Sequence, residues 1–192
     1  PGTEWVPIGS KNAGDASPAP FEGTFDGRGY SIRNLTIETP GDFKGLFGRL
    51  KHATVRDLAL EVNIKGNNVV GGLSGAAFAE TIIERVSVKG YIEGNEQVGG
   101  ILGRTATDPT YPDYNMLTDC YVNAHVKARS NAAGGLVGIA RWKLKIKNAC
   151  VAGRVEADTA VKEGNAAGIV SANDDPHVQA EAIAIVTDKI TG

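Results

Sequence analysis

A Gly-apolar-x-small motif that recurs five times constrains this chain more than any other feature. It reads Gly45-Leu46-Phe47-Gly48, Gly72-Leu73-Ser74-Gly75, Gly100-Ile101-Leu102-Gly103, Gly135-Leu136-Val137-Gly138 and Gly168-Ile169-Val170-Ser171, with leading glycines 27, 28, 35 and 33 residues apart. Between the motifs lies a second signature of alternating apolar and polar residues, at 55–60, 83–88, 117–122 and 146–151, with an earlier copy at 32–37. Alternation with period two is the pattern of a strand buried on one face. The apolar spacing of three and four that a helix needs is missing. A strand-rich unit of this length cannot bury its apolar face alone, but tandem units stacked on one another bury a continuous column.

The expected fold is therefore all-β, a right-handed parallel β-helix of about six to seven turns of roughly 27 residues. One domain is expected over 1–192: an N-terminal entry turn or cap at 1–31, repeats at 32–171, and a C-terminal loop and terminal strand at 172–192. Aligning the signatures places Leu58, Val86, Cys120 and Ala149 in one inward column, and Leu60, Val88, Val122 and Val151 in another. Ile64, Ile92, Val126 and Val155 continue the parity, and beside them an outward column reads Lys65, Glu93, Lys127, Glu156. A slip of one residue would destroy both patterns. The 25 glycines and the 6% aromatic content suit a fold of tight turns and small repeated strands. Asp26, in Phe25-Asp26-Gly27, is expected in a turn. Asn34, Asp57, Asp119 and Asn148 share a column at the strand corners, with Arg85 as the exception.

These motifs resemble the GLUG-repeat family, named for its Gly-Leu-apolar-Gly motif. The stretch from Phe21 to Ile32, followed by Asn34-Leu35-Thr36-Ile37, is similar to that family's opening rung, and Trp5-Val6-Pro7-Ile8-Gly9 to its lead-in. The resemblance covers nearly the whole chain. It implies a pectate-lyase-like β-helix of bacterial surface proteins and adhesins, with similar repeats beside immunoglobulin-A1-specific metallopeptidases. It also implies an extracellular or cell-surface location, as part of a longer polypeptide. The His-Glu-x-x-His motif such a peptidase needs does not occur in this chain.

Function is sought where the regularity breaks. The segments leaving the glycine motifs are longest after Gly103 and after Ser171, and they carry Asp108, Tyr111, Asp113 and Tyr114, then Asp174, Asp175 and His177. Trp142 lies in a shorter loop between them. Loops that leave the same corner of successive turns line one edge, where aromatic rings could stack on sugar faces and carboxylates could accept hydroxyl hydrogen bonds. The plainer alternative is that these rings pack their own loops onto the wall. A calcium site using Asp108, Asp113, Asp174 or Asp175 is a third reading, although no calcium-loop motif is present.

Catalytic candidates are sparse. His125 shares an outward column with Asn63, Tyr91 and Arg154, and Arg154 or Lys127 beside Glu93 and Glu156 could serve a polysaccharide lyase. A solvated charge ladder explains the same residues more simply. The expectation is a non-catalytic extracellular module for adhesion, for binding a glycan or host surface protein, or for spacing other domains. A carbohydrate-active enzyme, a polysaccharide lyase or glycoside hydrolase, is the alternative. A net charge of −2 with mixed signs gives no electrostatic case for nucleic acid, and no apolar run approaches a membrane span. No cofactor or metal is implied. Cys120 and Cys150 point to opposite faces and are expected to be free thiols.

Overall fold

The computed structural model describes residues 4–9, 19–106, 113–158, 166–173 and 178–191. Their regular structure is all β, as the alternation predicts. In chain order the strands are β1 (Phe21–Asp26), β2 (Ser31–Ile37), β3 (Phe47–Lys65), β4 (Asn68–Gly71), β5 (Ser74–Phe78), β6 (Ile82–Gly94), β7 (Glu96–Gly99) and β8 (Leu102–Thr105). They continue with β9 (Asn115–Thr118), β10 (Tyr121–Ala128), β11 (Ala133–Gly134), β12 (Val137–Ala140), β13 (Leu144–Ala157), β14 (Ala166–Ala167), β15 (Val170–Asn173) and β16 (Val178–Thr191).

The topology corrects the expectation of a right-handed β-helix of six to seven like turns. The strands sort into two parallel sheets of unequal size. A 12-stranded sheet runs β10-β13-β9-β6-β3-β5-β8-β12-β15, with β1 and β2 joined to β3 and β16 joined to β13. A four-stranded sheet runs β14-β11-β7-β4. Separate faces fail to appear because the chain bends at their boundaries without leaving its ladder. Asp57 (φ 54°) and Arg85 (φ 50°) take left-handed backbone within β3 and β6, yet pairing between these strands resumes on both sides, from Thr54–Ile82 to Lys65–Glu93. One left-handed residue turns the strand and lets a single sheet wrap the corner.

Within this architecture the register follows the sequence columns. Leu60 pairs with Val88, Val88 with Val122 and Val122 with Val151, and all four are buried. Ile64, Ile92, Val126 and Val155 align in the same way, at no more than 1% exposure. The second residues of the glycine motifs, Leu46, Leu73, Ile101 and Leu136, also point into the core. Phe21 and Phe25 pack on Phe47, with ring centroids 5.0 and 5.5 Å apart. β16 adds the last layer, with Ala180 opposite Ile146 and Ile183 opposite Ala149.

Two local devices make the stack possible. A Cβ on Gly72 would lie 2.4 Å from the Gly100 carbonyl oxygen, and one on Gly100 would lie 2.2 Å from that of Gly135. The motif's leading glycine is thus fixed by the approach of the next layer's backbone. The second device is the left-handed corner, occupied by Asn34, Asp57, Arg85, Asp119, Asn148 and Ala182 in successive layers. Asn and Asp tolerate that conformation better than most residues. Their side chains also bridge layers: Asn148 donates to Asp119 at 3.1 Å, and Arg85 donates to both Asp57 oxygens at 2.6 and 3.0 Å. The turn expected at Asp26 forms, with the Arg28 backbone N–H donating to its carboxylate at 2.9 Å.

Candidate functional site

Of the predicted loop edge, Asp113, Tyr114 and Trp142 fall among the described residues, whereas Asp108, Tyr111, Asp174, Asp175 and His177 lie outside them. Trp142 is held against the wall by the buried Thr105 hydroxyl. That hydroxyl donates to the Trp142 carbonyl at 3.1 Å and accepts from the Arg141 and Trp142 backbone N–H groups at 3.0 and 3.3 Å. The indole nitrogen of Trp142 is itself buried. The Tyr114 ring carries the Lys145 ammonium 4.1 Å from its centroid, and Lys143 sits 5.8 Å from both rings. The two rings thus hold lysines by cation–π attraction. A shallow depression bordered by Asp113, Tyr114, Met116 and Lys145 remains open beside them.

A better-formed groove lies around the corner, on the outward face of β3, β6 and β10. Period two sends alternate residues of these strands outward, and parallel pairing sets them in rows. One row is Ala59, Ser87 and Tyr121, and the next is Glu61, Lys89 and Asn123. Ala59 and Ser87 are too small to fill their places, so a trough opens beside the Tyr121 ring, which is 41% exposed. The trough encloses about 230 Å³ and is bordered by Ser31, Arg33, Glu61, Lys89 and Asn123. Lys89 and Glu61 form an ion pair at 3.0 Å across its side. The result is one aromatic ring beside a small-residue floor, with amide, hydroxyl, cationic and anionic groups around it.

The same face continues into the charged columns. Asn63, Tyr91, His125 and Arg154 pair as the sequence predicts, as do Lys65, Glu93, Lys127 and Glu156. The simple Lys–Glu ladder forms only in part. Lys127 reaches Glu93 at 4.0 Å, but Lys65 turns to Glu38 at 3.6 Å. Glu93 also accepts from the Tyr91 hydroxyl at 2.9 Å and faces Arg129 at 3.8 Å. Glu156 binds His125 at 2.7 Å and pairs with Arg154. The Tyr91 and His125 rings meet edge to face at 5.1 Å.

Electrostatics explain what this cluster can do. Burial, and then the Glu93 carboxylate, push the Tyr91 hydroxyl up to about 12. Burial alone would raise Glu156, but its hydrogen bond to His125 and the charge of Arg154 outweigh it and hold the carboxyl below its usual range. A general acid in glycoside cleavage needs a carboxyl shifted the other way. Both carboxylates are committed to cations, an arrangement suited to holding the face rigid and lining it with fixed charge.

Sequence reasoning overlooked the Tyr121 groove because it searched the loops. The signal was present in the alignment, where an aromatic residue follows two small ones up an outward row. The two cysteines are free, with Cys120 buried and Cys150 half-buried. Burial pushes the Cys120 thiol up to about 12.

No protein-family model matches the chain. Individual proteins do. It is 36% identical to an immunoglobulin A1 protease of Streptococcus pneumoniae over 131 residues, which are 68% of this chain and 6% of that protein. It is 29% identical over 147 residues to halomucin of Haloquadratum walsbyi, covering 65% of this chain and 2% of halomucin. The chain thus spans only a small fraction of the length of these relatives. Its fold matches the crystal structure of a Bacteroides ovatus protein provisionally described as an immunoglobulin A1 protease, at a TM-score of 0.63 and 18% identity, covering 98% of this chain and 68% of the other.

Proposed function

Taking as premise that this chain is kin to a segment of the immunoglobulin A1 proteases, the kinship its glycine motifs imply, we propose that it is a non-catalytic extracellular module that binds glycan on its outward sheet face. The groove beside Tyr121 carries the reading. A sugar ring has apolar faces that stack on an aromatic ring and hydroxyls that need both donors and acceptors. Tyr121 supplies the first, and Asn123, Ser87, Lys89, Glu61 and Arg33 supply the second. Placement on a stacked sheet adds rigidity, because each outward residue is held by paired strands on either side. The extracellular setting is supported by the relatives, one named for cleaving an antibody and one for a mucin. The charged cluster at Glu93 and Glu156 supports binding over catalysis, since its carboxylates are neutralised by neighbours.

A panel of immobilised neutral glycans tests this, with the parent compared with Tyr121→Ala and Asn123→Ala. The expected result is parent binding that falls at least about tenfold in both variants, with melting temperature unchanged; a tenfold change is about 1.4 kcal/mol. Loss of binding in Tyr114→Ala or Trp142→Ala instead would move the site to the loop edge. Absence of parent binding across the panel would overturn the glycan reading.

A further inference from the structure

A second feature lies on another part of the wall, at the residue that follows the glycine motif. Arg49, Ala76 and Arg104 occupy one outward row of β3, β5 and β8. Ala76 is fully buried although its position faces outward, as expected if the long side chains above and below close over it. Both guanidinium groups converge on the Phe43 ring, with their carbons 4.0 Å (Arg49) and 5.3 Å (Arg104) from its centroid. Phe43 is set there by left-handed backbone, at φ 56°. Its main chain leaves no room for a Cβ on the motif glycine Gly75, which would lie 2.6 Å from the Phe43 Cα.

The arrangement is short of negative charge. Among the described residues, neither arginine forms an ion pair with a carboxylate. Among those residues Arg104 has only the nearly buried Gln97 as a side-chain acceptor, its amide oxygen 3.5 Å from Nη1, and the buried Nε finds none among them. Asp42 and Arg141 act on Arg104 through space, with opposite signs. The Asp42 carboxylate accepts from the Asn68 backbone N–H at 3.0 Å. Burial depresses both arginines below their ordinary range, and Arg49 and Arg141 add repulsion at Arg104. Like charges held together over one ring and partly withdrawn from water are a ready receptor for an anion, and guanidinium forks match planar and tetrahedral oxyanions through paired N–H donors.

We propose that Arg49 and Arg104, gathered over Phe43, bind an oxyanion, the carboxylate or sulfate group of an acidic saccharide. The saccharide part rests on the glycan-binding reading above; the oxyanion part rests on the arginines alone. The site is separate from the Tyr121 groove, so the two ideas can fail separately.

The experiment is titration calorimetry of the full chain with a heparin-derived hexasaccharide, with trigalacturonate and with inorganic sulfate, at low and at physiological salt. Arg49→Gln, Arg104→Gln and the double variant are compared with the parent, with Lys189→Gln as a control for surface charge. Thermal melts confirm that each variant is folded. The expected result is binding of at least one oligosaccharide, weakened at least about tenfold in the double variant, unchanged in Lys189→Gln and retained in Tyr121→Ala. Equal affinity of the parent and the double variant would overturn the site. Binding of sulfate without either oligosaccharide would overturn the saccharide assignment. Loss of neutral-glycan binding in Tyr121→Ala, with no effect of the arginine changes on the acidic probes, would sink this inference and leave the groove standing.

Discussion

Replacing Gly100 by alanine tests the most specific structural claim, that the leading glycine of each motif exists to admit the next layer. The new methyl would lie 2.2 Å from the Gly135 carbonyl oxygen and 2.6 Å from Cγ1 of Val122. Ordinary contact begins at 3.4 Å, so the layers must part by roughly an ångström at this point or the core valine must move. The Gly100 N–H already donates to Gly134 across a long 3.3 Å, and its carbonyl accepts from Gly72 at 3.2 Å. Little further opening is tolerable before both bonds are lost. Overpacking of this kind costs about 1–3 kcal/mol, and weakening a buried backbone bond adds about 1 kcal/mol. The sum of about 2–4 kcal/mol corresponds to a fall in melting temperature of roughly 5–15 °C for a domain of this size. Gly29→Ala is the control: its φ is 75°, but the added Cβ meets nothing within 4 Å, so only backbone strain of about 1–2 kcal/mol is expected. Calorimetric melts of the two variants decide the matter. A Gly100→Ala protein that melts with the parent, or above Gly29→Ala, would refute the packing argument.

Three further outcomes are expected. Ala182 takes the left-handed corner, at φ 53°, that Asn or Asp fills in four other layers, so Ala182→Asn should stabilise by up to about 1 kcal/mol, read as a shift in denaturation midpoint; a fall would count against the corner assignment. Four carboxylates are held below their ordinary range: Glu4 by the Thr39 hydroxyl and backbone, Asp26 by the Arg28 N–H and Arg56, Asp57 by Arg85, and Glu156 by His125 and Arg154 against the opposing effect of its burial. Depressed folded-state values contribute stability above the unfolded values of 3.8 and 4.5, and that contribution is lost as pH falls through the folded ones. The melting temperature should therefore hold from about pH 7 to about pH 5 and decline below about pH 4, less steeply in Asp57→Asn; a flat acid limb would contradict the assignment. Finally, iodoacetamide on the folded protein should alkylate half-buried Cys150 and spare Cys120, whose thiol donates to the Thr118 carbonyl at 3.4 Å, with mass spectrometry locating the adduct; early modification of Cys120 would contradict its burial.

The inward columns were legible in the sequence because period two leaves no freedom. Once Leu60 and Val88 are aligned, Glu61 and Lys89 must face the other way, and they do. The single wrapped sheet was not legible, because its corners depend on left-handed residues that include Arg85 and His52, neither of them an ordinary signal for that conformation. The candidate site was read from the loops, where Tyr114 and Trp142 lie beside lysines and Thr105 bonds the Trp142 backbone. Tyr121 passed as one more polar-face residue of a strand, and its meaning emerges only when Ala59 and Ser87 are read beside it.

In a parallel stack every outward residue has a neighbour about 4.8 Å above and below, so function is written across layers more than along the chain. Alternating charges, as at Glu93 and Lys127, cancel and make wall. Two small residues beside a ring, as at Ala59, Ser87 and Tyr121, make a groove. Like charges separated by one small residue, as at Arg49, Ala76 and Arg104, leave about two strand spacings between their backbones, close to 10 Å. Two arginine side chains can close that distance from opposite sides while an alanine cannot obstruct them. The buried Ala76 and the convergence on Phe43 are the marks of that closure. Exchanging Ala76 for a glutamate would set a carboxylate between the two arginines and occupy both, whereas exchanging Ser87 for a bulky residue would close the groove. The Ser87 change falls on the outward row and leaves the inward columns as they are.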